Sequence, residues 1–209
     1  MIRIDPKTTA CVTIDMHRGH LDPAVATLPL LAERCGPVIE RAAKLLDALR
    51  RRGVPIVHVV TEYRDPEEIK SNPFWRGEPG DNRPKPRQGV FTHNLVGGRG
   101  TEVIPALLRD GDHVLRGKKR YSPYLGTGLL FLLRNRLGVG TLILAGINTT
   151  SCVLCSAFES TNLDFRVVIA SDAVDTVDGP EMHRFALELM SRTVGWPMTN
   201  AEIAQALTA

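Results

Sequence analysis

At 209 residues, with 43% hydrophobic and 23% charged side chains, the chain has the length and composition of one globular domain, 1–209, and neither a disordered nor a disulfide-dense class fits. Its formal charge of +3 is small and scattered, with Arg50, Arg51 and Arg52 at one helix end and Lys118, Lys119 and Arg120 in another cluster, so no nucleic-acid partner is expected. No apolar run reaches the roughly 18 residues of a membrane span, and the first residues lack a signal-peptide core, so no membrane partner and a cytoplasmic address are expected.

In chain order, strands are predicted at "ACVTI" (10–14), "PIVHVV" (55–60), "HVLRG" (113–117), "TLILAGI" (141–147), "FRVVIA" (165–170) and "WPMT" (196–199). The most apolar of these are continuous rather than alternating, as in a sheet covered on both faces. Amphipathic helices are predicted at 37–52, 126–137, 150–163 and 180–194. Strands alternating with helices predict an α/β fold: three layers, Rossmann-like, around a mostly parallel six-stranded sheet. The segment 64–100 is dense in Pro, Gly and charge, and its Phe74, Trp75 and Phe91 suit a lid or a subunit contact better than a solvated spacer.

In open parallel sheets the ligand crevice lies beyond the carboxyl ends of the strands. Three reactive side chains stand there: Asp15 after the first strand, Lys118 after "HVLRG", and Cys152 where the fourth strand turns into a helix. The first turn of a helix favours a thiolate and offers backbone N–H groups to an oxyanion, so Cys152 has the position of a nucleophile. A thiol attacking an amide needs a proton acceptor that later serves the leaving amine; Asp15 can do this while Lys118 holds it ionised. Cys11, Cys35 and Cys155 read as buried thiols, although Cys152 and Cys155 together make one CxxC.

Four blocks carry a resemblance: "VTIDMHRGHLDP" (12–23), "KKRYSPYLGTGL" (118–129), "LILAGINTTSCVLCSAFESTNLDFRVVIASDA" (142–173) and "HRFALELMSRTVGWPMTNAE" (183–202). With these the chain resembles the isochorismatase-like cysteine hydrolase superfamily, which includes N-carbamoylsarcosine and ureidoacrylate amidases, nicotinamidases, biuret hydrolase and isochorismatase. The resemblance implies catalytic Asp15, Lys118 and Cys152, with Lys118 preferred to Lys119 because it stands four residues before Ser122. It also implies a non-proline cis peptide between Ile147 and Asn148 and an oxyanion hole from the N–H groups of Asn148 and Cys152. Self-association, as a dimer or tetramer, is expected from the same resemblance.

Substrate-pocket candidates are His17, Arg18, Arg87, His93, Tyr124 and Thr149, the arginines because they bind carboxylates bidentately. Tyr124 stands where phenylalanine is commoner in the family. Nicotinamidase-type members hold a divalent metal through an Asp-x-His pair and a further His after the second strand, where this chain reads "VVTEYRDPEE". His17 and His20 have a His-x-x-His spacing, but without a matching third ligand in sequence neither metal nor another cofactor is expected. The expected function is therefore cysteine-dependent hydrolysis of a C–N bond in a small amide, ureido or N-carbamoyl compound. Vinyl-ether hydrolysis, a CxxC redox protein and a non-catalytic binding protein are the alternatives.

Overall fold

The computed structural model describes residues 2–77, 80 and 89–207. Six strands, β1 (Thr9–Ile14), β2 (Ile56–Thr61), β3 (His113–Lys118), β4 (Thr141–Ile147), β5 (Arg166–Asp175) and β6 (Trp196–Met198), form one sheet in the order β3-β2-β1-β4-β5-β6. Every neighbouring pair is parallel. Strands β1, β2 and β4 are buried at every position, which is why their sequences show no alternation.

The pleat sends alternate residues of β1 into different apolar clusters, Cys11 to one face and Ala10, Val12 and Ile14 to the other. On the first face lies the long helix α2 (Ala32–Arg51), which buries Val38, Ala42, Leu45, Leu46 and Leu49, together with α8 (Asn200–Ala206). On the second lie α6 (Leu154–Asn162), α7 (Pro180–Thr193) and the short α5 (Leu129–Phe131), through Ala157, Met190 and Leu129. This is the α/β layering the periodicity predicts.

Two boundaries, in α2 and β5, differ from the sequence reading by five residues. Helix α2 starts five residues before Pro37, a proline that reads as a first helical residue but here lies inside the helix, behind a first turn anchored by buried Cys35. Strand β5 continues past Ala170 to Asp175: the pairing with β4 shifts between Leu144 and Gly146, so Ser171 and Asp172 form an irregularity and Val174 and Asp175 pair again.

Within 64–100 the chain forms α3 (Pro66–Lys70) and α4 (Pro73–Arg76), capped by the side chains of Asp65 and Asn72, and then two short 3₁₀ turns. Trp75 packs edge-on against Tyr121 with centroids 5.5 Å apart and donates its ring N–H to that hydroxyl, while Phe74 is exposed. A four-residue helix, α1 (Arg18–Leu21), follows β1.

The chain builds outward from β1 through β2 to β3, then crosses to β4 and builds outward on the other side, so the switch point lies between β1 and β4. There Gly146 has φ 131° and a Cβ on it would stand 2.1 Å from the Ile14 carbonyl oxygen. Only glycine lets the strands run this close one residue before Asp15. Gly146→Ala should lower stability by about 3 kcal/mol and Tm by roughly 6–12 °C; a loss below about 1 kcal/mol in urea unfolding would show that the contact relaxes freely.

Candidate active site

The turn after β1 begins at Asp15, whose φ of 54° is left-handed and bends the chain out of the sheet. Its carboxylate is fully enclosed. Oδ1 accepts the Thr61 backbone N–H (2.9 Å) and the Thr61 hydroxyl (2.8 Å), and Oδ2 accepts from Lys118 Nζ (2.6 Å).

Lys118 is the last residue of β3 and lies opposite Thr61, because the β2–β3 pairing shifts register between Val59 and Thr61. Although a lysine, it is 1% exposed. Its ammonium donates to Asp15, to Thr61 Oγ1 (2.8 Å) and to Cys152 Sγ (3.3 Å), which accounts for all three of its N–H donors.

Cys152 lies in a π-helical turn, Thr149–Val153, that runs into α6. The peptide joining Ile147 and Asn148 ahead of it is cis. The Asn148 carbonyl accepts from the N–H groups of Ser151 and Val153, the residues on either side of Cys152.

Burial acts on all three groups, and neighbouring charges decide the outcome. For Asp15 burial opposes ionisation, but the Lys118 ammonium and then His17 hold the carboxyl well below the usual range. Burial alone would lower Lys118, but Asp15, with Cys152 and Tyr63 adding to it, pushes the ammonium above its ordinary value. Burial pushes the Cys152 thiol up to about 12, with the Asp15 carboxylate adding to the rise and Lys118 opposing it. The sequence position alone suggests a thiolate; in the folded protein burial, the largest influence on Cys152, works against one.

The remaining predicted residues divide. His17 is buried beside Asp15, its Nε2 3.7 Å from Asp15 Oδ1, with the Asn94 amide donating to its ring. His93 is buried, 5.6 Å from His17 between ring centroids, and hydrogen-bonds Thr27 through Nδ1 (2.9 Å). Tyr124 packs against the apolar cluster that includes Cys152, its hydroxyl paired with Ser160 (2.7 Å). The Thr149 hydroxyl is paired with His183 Nδ1 (3.0 Å). Arg18 is not a free carboxylate binder: its guanidinium is held by Asp22 (2.6 Å) and Glu102 (2.9 Å). Arg87 lies outside the described residues. Lys119, the alternative to Lys118, instead pairs with Glu68 (2.7 Å).

Sequence reasoning missed Thr61 and Asn94. Thr61 ends β2, so the same strand-end rule that selects Asp15 and Lys118 reaches it. Asn94 donates to the Thr61 carbonyl (2.8 Å) and to His17, from a segment whose sequence carries no periodic signal.

The fold and site define an open, all-parallel α/β protein with a carboxylate–ammonium–thiol cluster at the switch point of its sheet. The chain belongs to the isochorismatase family of hydrolases: residues 9–202 match the Isochorismatase domain. It is 26% identical to the ureidoacrylate amidohydrolase RutB of Methylobacterium radiotolerans over 99% of this chain and 82% of that protein. Its fold is similar to a cysteine hydrolase from Pseudomonas syringae pv. phaseolicola (TM-score 0.80, 23% identity, covering 99% of this chain and 95% of that one). It is also similar to the N-carbamoylsarcosine amidase of Thermoplasma acidophilum (TM-score 0.70, 26% identity, 94% and 98% covered). Among the described residues no helix is long and apolar enough to cross a membrane.

With a thiol raised to about 12, thiolate is scarce at neutral pH and grows about tenfold per unit as pH rises. In a Cys155→Ser background, the rate of Cys152 alkylation by iodoacetamide should therefore still be climbing between pH 7 and 10. A rate already flat between pH 6 and 8, read by mass spectrometry, would mean an ionised resting thiol.

Proposed function

We propose that the protein is a cysteine-dependent amidohydrolase that cleaves a C–N bond of a small amide, ureido or N-carbamoyl compound through a thioester. The observation that carries this reading is the contact of Lys118 Nζ with both Asp15 Oδ2 (2.6 Å) and Cys152 Sγ (3.3 Å) in a buried cluster. The relative named a ureidoacrylate amidohydrolase supports the substrate class, as does the maleamate amidohydrolase of Pseudomonas putida, 27% identical over 79% of this chain and 71% of that protein.

Because the resting sulfur is protonated, its proton moves to Asp15 as the S–C bond forms. The carbonyl π pair moves onto oxygen, which the N–H groups of Asn148 and Cys152 receive. Lys118 keeps the acceptor ionised beforehand and stabilises the negative charge that builds on sulfur. Collapse breaks the C–N bond while Asp15 returns the proton to nitrogen, releasing ammonia or an amine. Water then adds to the thioester, giving a proton to Asp15; the sulfur departs and regains a proton from the same carboxyl, and the acid leaves.

The surroundings of Cys155 disfavour a CxxC redox pair. Cys155 is half-buried and its thiol, too, is raised by burial and then by the Glu159 carboxylate, whereas redox-active pairs depend on a lowered thiol.

A screen of small amides, ureas and carbamoyl acids for ammonia release should find a substrate. Cys152→Ala should lower its kcat by at least about 10³-fold and Cys155→Ser should leave it nearly unchanged; equal losses in the two variants would favour the redox reading. Thr61→Val removes a hydroxyl that both donates to Asp15 and accepts from Lys118. It should lower kcat by about 10–100-fold with KM little altered, and Thr61→Ser should restore most of it. Failure of serine to rescue would reduce Thr61 to a packing residue.

A further inference from the structure

Beside Asp15 three histidines from two distant chain sections, His17, His20 and His93, converge. One ring nitrogen from each of His17, His20 and His93 lies within 4.8 Å of the other two, and all three side chains are buried. His17 and His20 stack with centroids 4.8 Å apart, and His20 and His93 stand 4.7 Å apart. Three imidazoles gathered in one buried spot make a poor apolar core, since each ring carries two polar nitrogens that require partners.

The outward nitrogens of His20 and His93 have such partners. His20 Nδ1 lies 2.6 Å from the Leu28 carbonyl, which can only accept, so that nitrogen carries the proton and Nε2 holds the lone pair. His93 Nδ1 is 2.9 Å from the Thr27 hydroxyl, an arrangement that orients its ring in the same way. His17 differs: the Asn94 amide N–H donates to its Nε2 (2.8 Å) and to the Thr61 carbonyl (2.8 Å), so this ring would ligate by exchanging the Asn94 hydrogen bond for the ion. A ring N–H held by a carbonyl or hydroxyl, with the other nitrogen turned toward neighbouring imidazoles, is the pattern that orients metal-ligating histidines.

We propose that His17, His20 and His93 form a binding site for one divalent transition-metal ion of the zinc type, with a fourth position open to water. This ligand set differs from the Asp-x-His pair of nicotinamidase-type relatives: two of its members come from the turn and short helix after β1, and the third is held by Thr27 further along the same connection. Metal–nitrogen bonds of about 2.0–2.1 Å place tetrahedral ligands about 3.4 Å apart, so the widest nitrogen pair has to close by roughly 1.4 Å from 4.8 Å. The ion would tie the segment around His93 to α1 and stand one imidazole away from Asp15, whose carboxylate offsets part of its charge.

The test needs no substrate and so stands or falls apart from the amidase reading. Full-length protein stripped with a chelator is titrated with Zn²⁺ against a chromogenic competitor and, separately, with Co²⁺ followed by visible absorption. One equivalent of Zn²⁺ should bind at micromolar affinity or tighter, and Co²⁺ should give d–d bands without the sulfur-to-cobalt charge-transfer band of thiolate ligation. His20→Gln and His93→Gln should each weaken Zn²⁺ by more than the 10–100-fold typical of a lost outer-shell partner, while Cys152→Ala should leave binding intact. Absence of a stoichiometric complex, a thiolate band, or undiminished binding in folded His93→Gln would each overturn the proposal. Because the Co²⁺ spectrum is read on the unaltered chain, it decides the matter even if both variants fail to fold.

Discussion

The ion pair between Lys118 and Asp15 is the constraint on which the site rests. Both side chains are about 1% exposed, and taking an ammonium and a carboxylate out of water costs several kcal/mol per ion. Such a pair persists only where every remaining donor and acceptor is met, and here Thr61 closes the set by donating to Asp15 and accepting from Lys118. Removing either charge would strand the other. Apolar side chains of the same volume would stabilise the fold at least as well, so the pair is better understood as a means of holding charge at one place than as a source of stability.

Holding that charge requires three strand ends to meet within hydrogen-bond distance. Parallel pairing brings the carboxyl ends of β1, β2, β3 and β4 to one edge of the sheet, and two local departures from regularity do the fine placement. The register shift in β2–β3 sets Lys118 across from Thr61, and the contact of Gly146 with Ile14 draws β4, and with it the turn bearing Cys152, against β1. The site is thus a product of small irregularities in a regular sheet.

Most of the sheet was legible because a strand covered on both faces must be apolar throughout, as β1, β2 and β4 are. Where sequence and structure part, packing overrules local chemistry: Pro37 resembles a helix start and the apolar run ends at Ala170, yet helix and strand both continue through them. Asp15, Lys118 and Cys152 could be picked out because each follows a recognisable strand or sits at a recognisable joint. Thr61 was open to the same rule but is chemically modest. His93 is a different case: 73 residues separate it from His20, and no local pattern in a Pro- and Gly-rich segment tells that two chain sections will cross. For the same reason Arg18, which looks available in sequence, is already paired with Glu102 from far along the chain.

The raised Cys152 thiol follows first from burial, and the same ion pair does not undo it. Lys118 stands 2.6 Å from Asp15 and 3.3 Å from the sulfur and favours a negative sulfur, but burial and the negative Asp15 work against a second negative charge beside the first. A cluster with one cation and two potential anions keeps one of them neutral. When an electrophilic carbon approaches, the charge that would have accumulated on sulfur is carried away to oxygen, and the proton finds Asp15 already ionised and in place. The arrangement therefore favours the state in which bond formation and proton transfer proceed together over a free thiolate, which in an enclosed site beside a carboxylate would be the costlier species.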